Sequence, residues 1–139
     1  MHFGNAWYPE HWSEERWDED LRLMAEAGMT VARIAEFAWS RLEPADGDFR
    51  LDWLERAVDA AARRGIAVVM GTPSAAPPAW LTSAHPEVLP VRDDGRVQRH
   101  GARCHFRPGS EVYRRFCRRI AEVMAQRFGR HANVIGWQI

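Results

Sequence analysis

The sequence predicts an α/β fold built on a parallel sheet, and three observations predict it. Short apolar segments alternate with longer stretches of helical periodicity, the order that generates strand–helix–strand units. Turns after the helical stretches are short and contain glycine, whereas the segments after the strands are long and rich in proline, aromatic and polar residues. One strand segment, Ile66–Met70 (I-A-V-V-M), is continuously apolar, as a strand buried on both faces should be. Two architectures satisfy this pattern: a doubly wound sheet, or the first half of an eight-stranded α/β barrel. Both have right-handed connections and put chemistry at the C-terminal ends of the strands.

Taken in order, His2–Trp7 is a short, partly aromatic first strand. Ser13 offers an N-cap, with Glu14 and Glu15 in the first turn, where the helix dipole favours anions. Trp17, Leu21 and Met24 fall at helical spacing, and Gly28 supplies a left-handed C-cap. Thr30–Ile34 is the second strand. A polar turn with Pro44, Asp46 and Gly47 follows, and Asp52 caps a second helix with Trp53, Leu54, Ala57, Val58 and Ala61 on one face. Gly65 ends that helix and Ile66–Met70 is the third strand. The stretch from Gly71 to Gly109 is too long to be mere connection, and loops of that size are usually functional. Ser110 begins a third helix with Val112, Phe116, Ile120 and Val123 inward, stopped near Gly129. Asn133–Ile139 (N-V-I-G-W-Q-I) is the fourth strand. The expectation is about four parallel strands and three crossover helices.

Composition narrows the function. The 139 residues suit one domain, and 19 basic against 19 acidic side chains leave no net charge. A surface that coats nucleic acid, whose affinity rests on neutralising phosphates, is therefore not expected. All the basic residues are arginine, which excludes a Schiff-base lysine, a P-loop lysine and a lysine general base. Two cysteines, Cys104 and Cys117, are too few for a disulfide framework and fit a reducing compartment. No apolar run is long enough for a membrane span and no signal pattern follows Met1, so a cytoplasmic protein is expected. Seven tryptophans suit either a core or a sugar-stacking surface.

No G-x-G-x-x-G follows the first strand and no G-x-S-x-G elbow occurs, so neither a dinucleotide site nor a hydrolase serine is supported. The second strand ends in Arg33-Ile34-Ala35-Glu36-Phe37-Ala38-Trp39. Arg33 and Glu36 there form either an internal ion pair or a polar floor that binds hydroxyl groups, and the two roles are compatible. Arg103 is a further candidate, since a guanidinium presents fixed donors to sugar hydroxyls or a carboxylate. Trp80 reads as packing at the start of a short rim helix. Cys104 beside His105, with Cys117, invites a metal, but structural zinc sites usually show close C-x-x-C spacing. Nor are they a nucleophilic pair, because adjacent strand residues point to opposite sides. Arg114, Arg115, Arg118 and Arg119 read as the solvated face of the third helix. His2, His11, His85, His100 and His131 show no ligand spacing.

Several segments together resemble one family. Trp7-Tyr8-Pro9-Glu10-His11-Trp12, followed by Trp17 and Asp20, resembles the opening Y-Y-P-E-x-W of glycoside hydrolase family 42 β-galactosidases. So do Arg33–Trp39 (R-I-A-E-F-A-W against R-I-G-E-F-A-W), Leu42-Glu43-Pro44, and Gly71–Leu81 (G-T-P-S-A-A-P-P-A-W-L). His85–Val91 and Trp137-Gln138 complete an ordered set covering essentially the whole chain.

The resemblance implies a TIM-type (β/α)₈ barrel, of which residues 1–139 are the N-terminal portion, with no second domain. It implies a retaining hydrolase of terminal β-linked galactose that uses two Glu residues about 5 Å apart. Both fall beyond Ile139 in the family pattern, since the acid/base motif W-Q-x-D-N-E is cut at Trp137-Gln138-Ile139. Glu10, Glu36 and Glu43 match non-catalytic positions. The chain alone is therefore expected to be inactive, and its open sheet edges make it expected to self-associate or aggregate.

By the same resemblance Arg103 matches the first Arg of the R-R-H-Y-C segment that binds the galactose ring, and Arg33 and Glu36 match positions lining that subsite. Some members bind zinc through the Cys of that segment, where this chain has Arg107. No metal and no cofactor are therefore expected. The implied partner is a β-galactoside; no nucleic acid and no membrane are expected, and the family suggests a homotrimer for a full-length protein. The alternative is a non-catalytic sugar-binding or scaffold half-barrel.

Overall fold

Residues 1–100 and 103–139 are described by the computed structural model. Gly101 and Ala102, which open the Arg103 segment, lie outside the described residues. The four strands are β1 (Gly4–Ala6), β2 (Val31–Ile34), β3 (Ala67–Gly71) and β4 (Val134–Gln138). They form one sheet in sequence order, every neighbouring pair parallel. The register pairs Ala6 with Arg33, Arg33 with Val69 and Gly71 with Gln138, so the C-terminal strand ends lie side by side.

Each crossover is helical. The helix α1 (Glu14–Glu26) joins β1 to β2 and buries Trp17, Leu21 and Met24, the stripe its spacing predicts. Between β2 and β3 lie a short helix, α2 (Trp39–Leu42), and the longer α3 (Asp52–Arg63). Between β3 and β4 lie the rim helix α4 (Ala79–Ala84) and the long α5 (Glu111–Phe128). Gly28 and Gly65 both take positive φ after their helices, as the left-handed exits require.

The structure corrects four local expectations. The cap of α3 is Leu51; Asp52 is already helical, and it pairs instead with Arg127 of α5 at 2.8 Å. Ser13 occupies the cap position of α1 without a side-chain bond, whereas Ser110 does accept from the Tyr113 N–H. The buried stripe of α5 is Tyr113, Phe116, Ile120, Met124 and Phe128, while Val112 and Val123 are only half-buried. The helix is rotated because three of its largest apolar side chains claim the interface, leaving the two smaller valines at its margin. Finally, β3 is not buried on both faces: Val68 and Met70 are fully buried, but Ala67 and Val69 only partly.

That alternation runs through β2 as well, where Ala32 and Ile34 are buried and Val31 and Arg33 are not. The helices cover the outer face of the sheet, and the core lies between them and that face. The inner face carries Arg33 toward the strand ends and is lined lower down by small residues of β1.

Arg119 also departs from the solvated face predicted for it. It pairs with Glu43, which is fully buried, and with Asp46 at 2.7 Å. The Glu43 carboxylate further accepts from the Trp39 indole N–H and the Gly47 backbone N–H, both at 2.9 Å. The Trp80 indole donates to the Glu43 carbonyl at 2.7 Å. A buried carboxylate is tolerable only with such partners, and here it ties the β2–α3 loop, the rim helix and α5 together.

Candidate functional site

The segment leaving β2 turns abruptly. Ala35 has φ +73°, a left-handed conformation that costs an L-residue about 1–2 kcal/mol. The turn brings Glu36 back against β3, where a Cβ added at Gly71 would sit 2.8 Å from the Glu36 Cβ and 2.9 Å from its Cα. Glycine at 71 thus admits the Glu36 backbone to the mouth of the sheet.

Glu36 is only 5% exposed. Arg33 donates to its Oε1 at 2.9 Å and its Nε also contacts Oε2. Tyr8, just past β1, donates its phenolic O–H to the same Oε1 at 2.7 Å. The Tyr8 ring stacks on His11 and tilts against Phe37. Burial, reinforced by the Glu36 negative charge, raises the Tyr8 pKa, so the phenol stays protonated and remains a donor.

Arg103 reaches the same place from the β3–β4 connection. Its guanidinium lies 4.6 Å from the centre of the Phe37 ring, a cation–π geometry. Arg33, Glu36, Phe37, Arg103 and Gln138 all line one cleft of about 360 Å³ above the C-terminal strand ends. The three residues singled out by sequence are therefore brought together. The ion pair is present, and Arg33 keeps 41% of its side-chain surface open while holding Glu36.

Tyr8 and Gln138 were not singled out, and the signal that could have found them was available. Both sit at strand ends, Tyr8 beyond β1 and Gln138 closing β4, where the rule that drew attention to Arg33 and Glu36 applies equally.

Other candidates fall elsewhere. Trp80 packs edge-on against Phe116 and serves the Glu43 cluster. Cys104 is exposed at the cleft rim with φ +57°, while Cys117 is half-buried beneath Tyr113, and burial raises its thiol pKa. Among the described residues no three His, Cys, Asp or Glu side chains gather as a metal ion would need.

Fold and cleft define a class: a parallel α/β barrel segment with its polar site at the C-terminal strand ends. The glycoside hydrolase 42 family, described as beta-galactosidase, matches residues 6–139. A beta-galactosidase of Thermus thermophilus is 48% identical over 135 residues, 97% of this chain and 21% of the relative. The crystal structure of the beta-galactosidase from the psychrophilic Marinomonas ef1 aligns with TM-score 0.94 at 41% identity, over 99% of this chain and 21% of that one. The cold-adapted beta-galactosidase of Rahnella sp. R3 aligns with TM-score 0.95 at 34% identity, over 100% of this chain and 21% of that one.

The chain belongs to glycoside hydrolase family 42. It spans about a fifth of the length of the curated relatives it matches. The choice left open by the sequence pattern closes on the first half of a (β/α)₈ barrel, not a doubly wound sheet. No described helix is long and apolar enough to cross a membrane.

Proposed function

We propose that residues 1–139 form the N-terminal portion of the catalytic domain of a retaining β-galactosidase and carry part of its galactose subsite. Arg33 and Glu36 form the floor and Arg103 the wall. The observation that carries this reading is the convergence of these residues on one cleft at the strand ends, in a chain of this family. Chemically the set suits a sugar: the two guanidiniums donate to hydroxyl groups, Glu36 orients Arg33 for that role, and Phe37 offers a ring face beneath Arg103. The partner is a terminal β-galactoside; no role with nucleic acid or membrane is proposed. Cytoplasmic location and a trimeric full-length protein remain the expectations that accompany the family resemblance.

Neither catalytic carboxylate is among these residues in this reading. Glu43 is consumed by Arg119, Trp39 and Gly47, and Glu36 by Arg33 and Tyr8, so neither is free to attack an anomeric carbon. Protonating the leaving oxygen and attacking from the opposite side takes two carboxyl groups about 5 Å apart across the scissile bond. The test compares two proteins on a chromogenic β-galactoside: the 139-residue chain alone, and a protein in which it continues through the rest of the barrel. The second hydrolyses the substrate, and its Arg103→Ala variant loses at least about tenfold in kcat/KM, a hydrogen bond to a charged group being worth that much. The first shows no turnover. Turnover by the 139-residue chain, free of host enzyme, overturns the assignment of the catalytic pair; an indifferent Arg103→Ala overturns the subsite.

A further inference from the structure

We propose that Phe37 is a positioning residue of the galactose subsite, holding the Arg103 guanidinium on its ring so that the N–H groups of Arg103 meet the sugar hydroxyls. The inference rests on the galactoside reading above and goes beyond it by assigning the residue that presents Arg103.

The two cleft arginines are held in different ways. Arg33 turns its Nε and Nη2 to Glu36, so the carboxylate takes up part of its donor set. Among the described residues Glu36 is the one carboxylate side chain lining the cleft, and Arg33 and Tyr8 already hold it. Arg103 is held on Phe37 instead, with its Cζ 4.6 Å from the ring centre. That attraction comes from the negative potential of the ring face and asks for no N–H···O bond, whereas a carboxylate partner consumes such donors. A guanidinium carries several fixed N–H donors, and this contact uses none of them. Arg103 is exposed and lines the cleft, so they stay open to a ligand there.

Arg103 needs such a hold. It lies in the long connection between β3 and α5, outside any strand. The neighbouring Cys104 fixes the backbone only, donating its N–H to the Ala75 carbonyl at 3.0 Å. A long side chain left to itself samples many rotamers, and freezing it on contact with a ligand weakens binding. Phe37 supplies a fixed platform. It follows the left-handed turn at Ala35, is half-buried, and tilts its ring against Tyr8 with centroids 6.1 Å apart. Tyr8 is itself tied to Glu36 through its phenol at 2.7 Å. The orientation of Arg103 is thus set from the ends of β1 and β2, although its backbone comes from beyond β3.

The experiment uses the protein in which this chain continues through its barrel, assayed on a nitrophenyl β-galactoside. Phe37→Leu keeps an apolar side chain and removes the ring. It lowers kcat/KM by about fivefold, what a cation–π contact at a partly open site is worth. Phe37→Tyr keeps a ring face and recovers most of that loss. In the Arg103→Ala background Phe37→Leu costs less than about twofold, because the cation it presents is gone. Should Phe37→Leu fail to fold, ring-fluorinated phenylalanine at position 37 keeps the size of the ring and weakens its negative face, and kcat/KM falls stepwise with each added fluorine. A Phe37→Leu variant as active as the parent, a penalty undiminished by Arg103→Ala, or a fluorine series without a trend overturns the assignment of Phe37 while the galactoside reading stands. An indifferent Arg103→Ala, or a parent protein inactive on every galactoside, overturns both.

Discussion

Replacing Glu43 by alanine tests whether the cluster beneath the cleft is as coupled as its geometry implies. The substitution strips the acceptor from the Trp39 indole, from the Gly47 N–H and from Arg119. Removing one partner of a buried ion pair costs about 3–5 kcal/mol. Arg119 is a third exposed and keeps Asp46 at 2.7 Å, which places the loss at the low end, about 3 kcal/mol. With a urea slope of about 2 kcal/mol/M, the midpoint of the barrel's unfolding falls by about 1.5 M. Indole fluorescence reports it directly, because Trp39 and Trp80 are both bound to Glu43. The sharper signature is the double variant Glu43→Leu with Arg119→Met, which replaces the pair by apolar side chains of similar size. It regains most of the loss, since such replacements are often neutral or stabilising. A midpoint shift below about 0.5 M for Glu43→Ala, or a double variant worse than either single one, refutes the reasoning.

Gly71→Ala drives a Cβ to 2.8 Å from the Glu36 Cβ and costs about 1–3 kcal/mol, together with a fall in kcat/KM as Glu36 is displaced. Gly136→Ala on the neighbouring strand meets nothing within 4 Å and leaves both stability and turnover unchanged, which melting curves and kinetics on the pair check. Glu10→Gln gives a pH signature: burial holds the Glu10 carboxyl above the usual carboxylate range, so the folded state keeps its proton at pH values where the unfolded chain has lost it. Its contribution is therefore most favourable below the unfolded value and is lost as pH rises through the raised folded value, so the variant melts above the parent at pH 8 and level with it near pH 4. A gap that widens in acid contradicts this.

Much of the fold was legible because local signals and tertiary packing agree. Trp17, Leu21 and Met24 lie three and four residues apart, and the glycines at 28 and 65 stand where left-handed exits fall. The stripe of α5 was less legible because apolar side chains lie on several of its faces, and only packing decides that Met124 and Phe128 go inward while Val123 does not. Arg119 illustrates the same limit: within an arginine-rich run nothing local distinguishes the one side chain that meets a buried carboxylate 76 positions away. The inner face of β3 was misjudged because an apolar sequence states what could be buried, not what covers it.

At the site, Arg33 and Glu36 were legible from strand-end position alone. Arg103 comes from a long connection without strand periodicity, and its place in the cleft depends on that connection folding back over β3, as the bond from Cys104 N–H to the Ala75 carbonyl records. Tyr8 was hidden for a different reason. In W-Y-P-E it reads as one more aromatic residue, and its hydrogen bond to Glu36 follows only from the parallel register that sets β1 beside β2.

A crystal structure of the protein carrying this chain, with galactose bound, tests the central claim most directly. The account predicts the sugar ring in the cleft above the strand ends, beside Glu36, with its hydroxyl groups within hydrogen-bond distance of Arg33 and Arg103. A ring bound elsewhere on the barrel, with those two arginines contacting none of its hydroxyls, would contradict it.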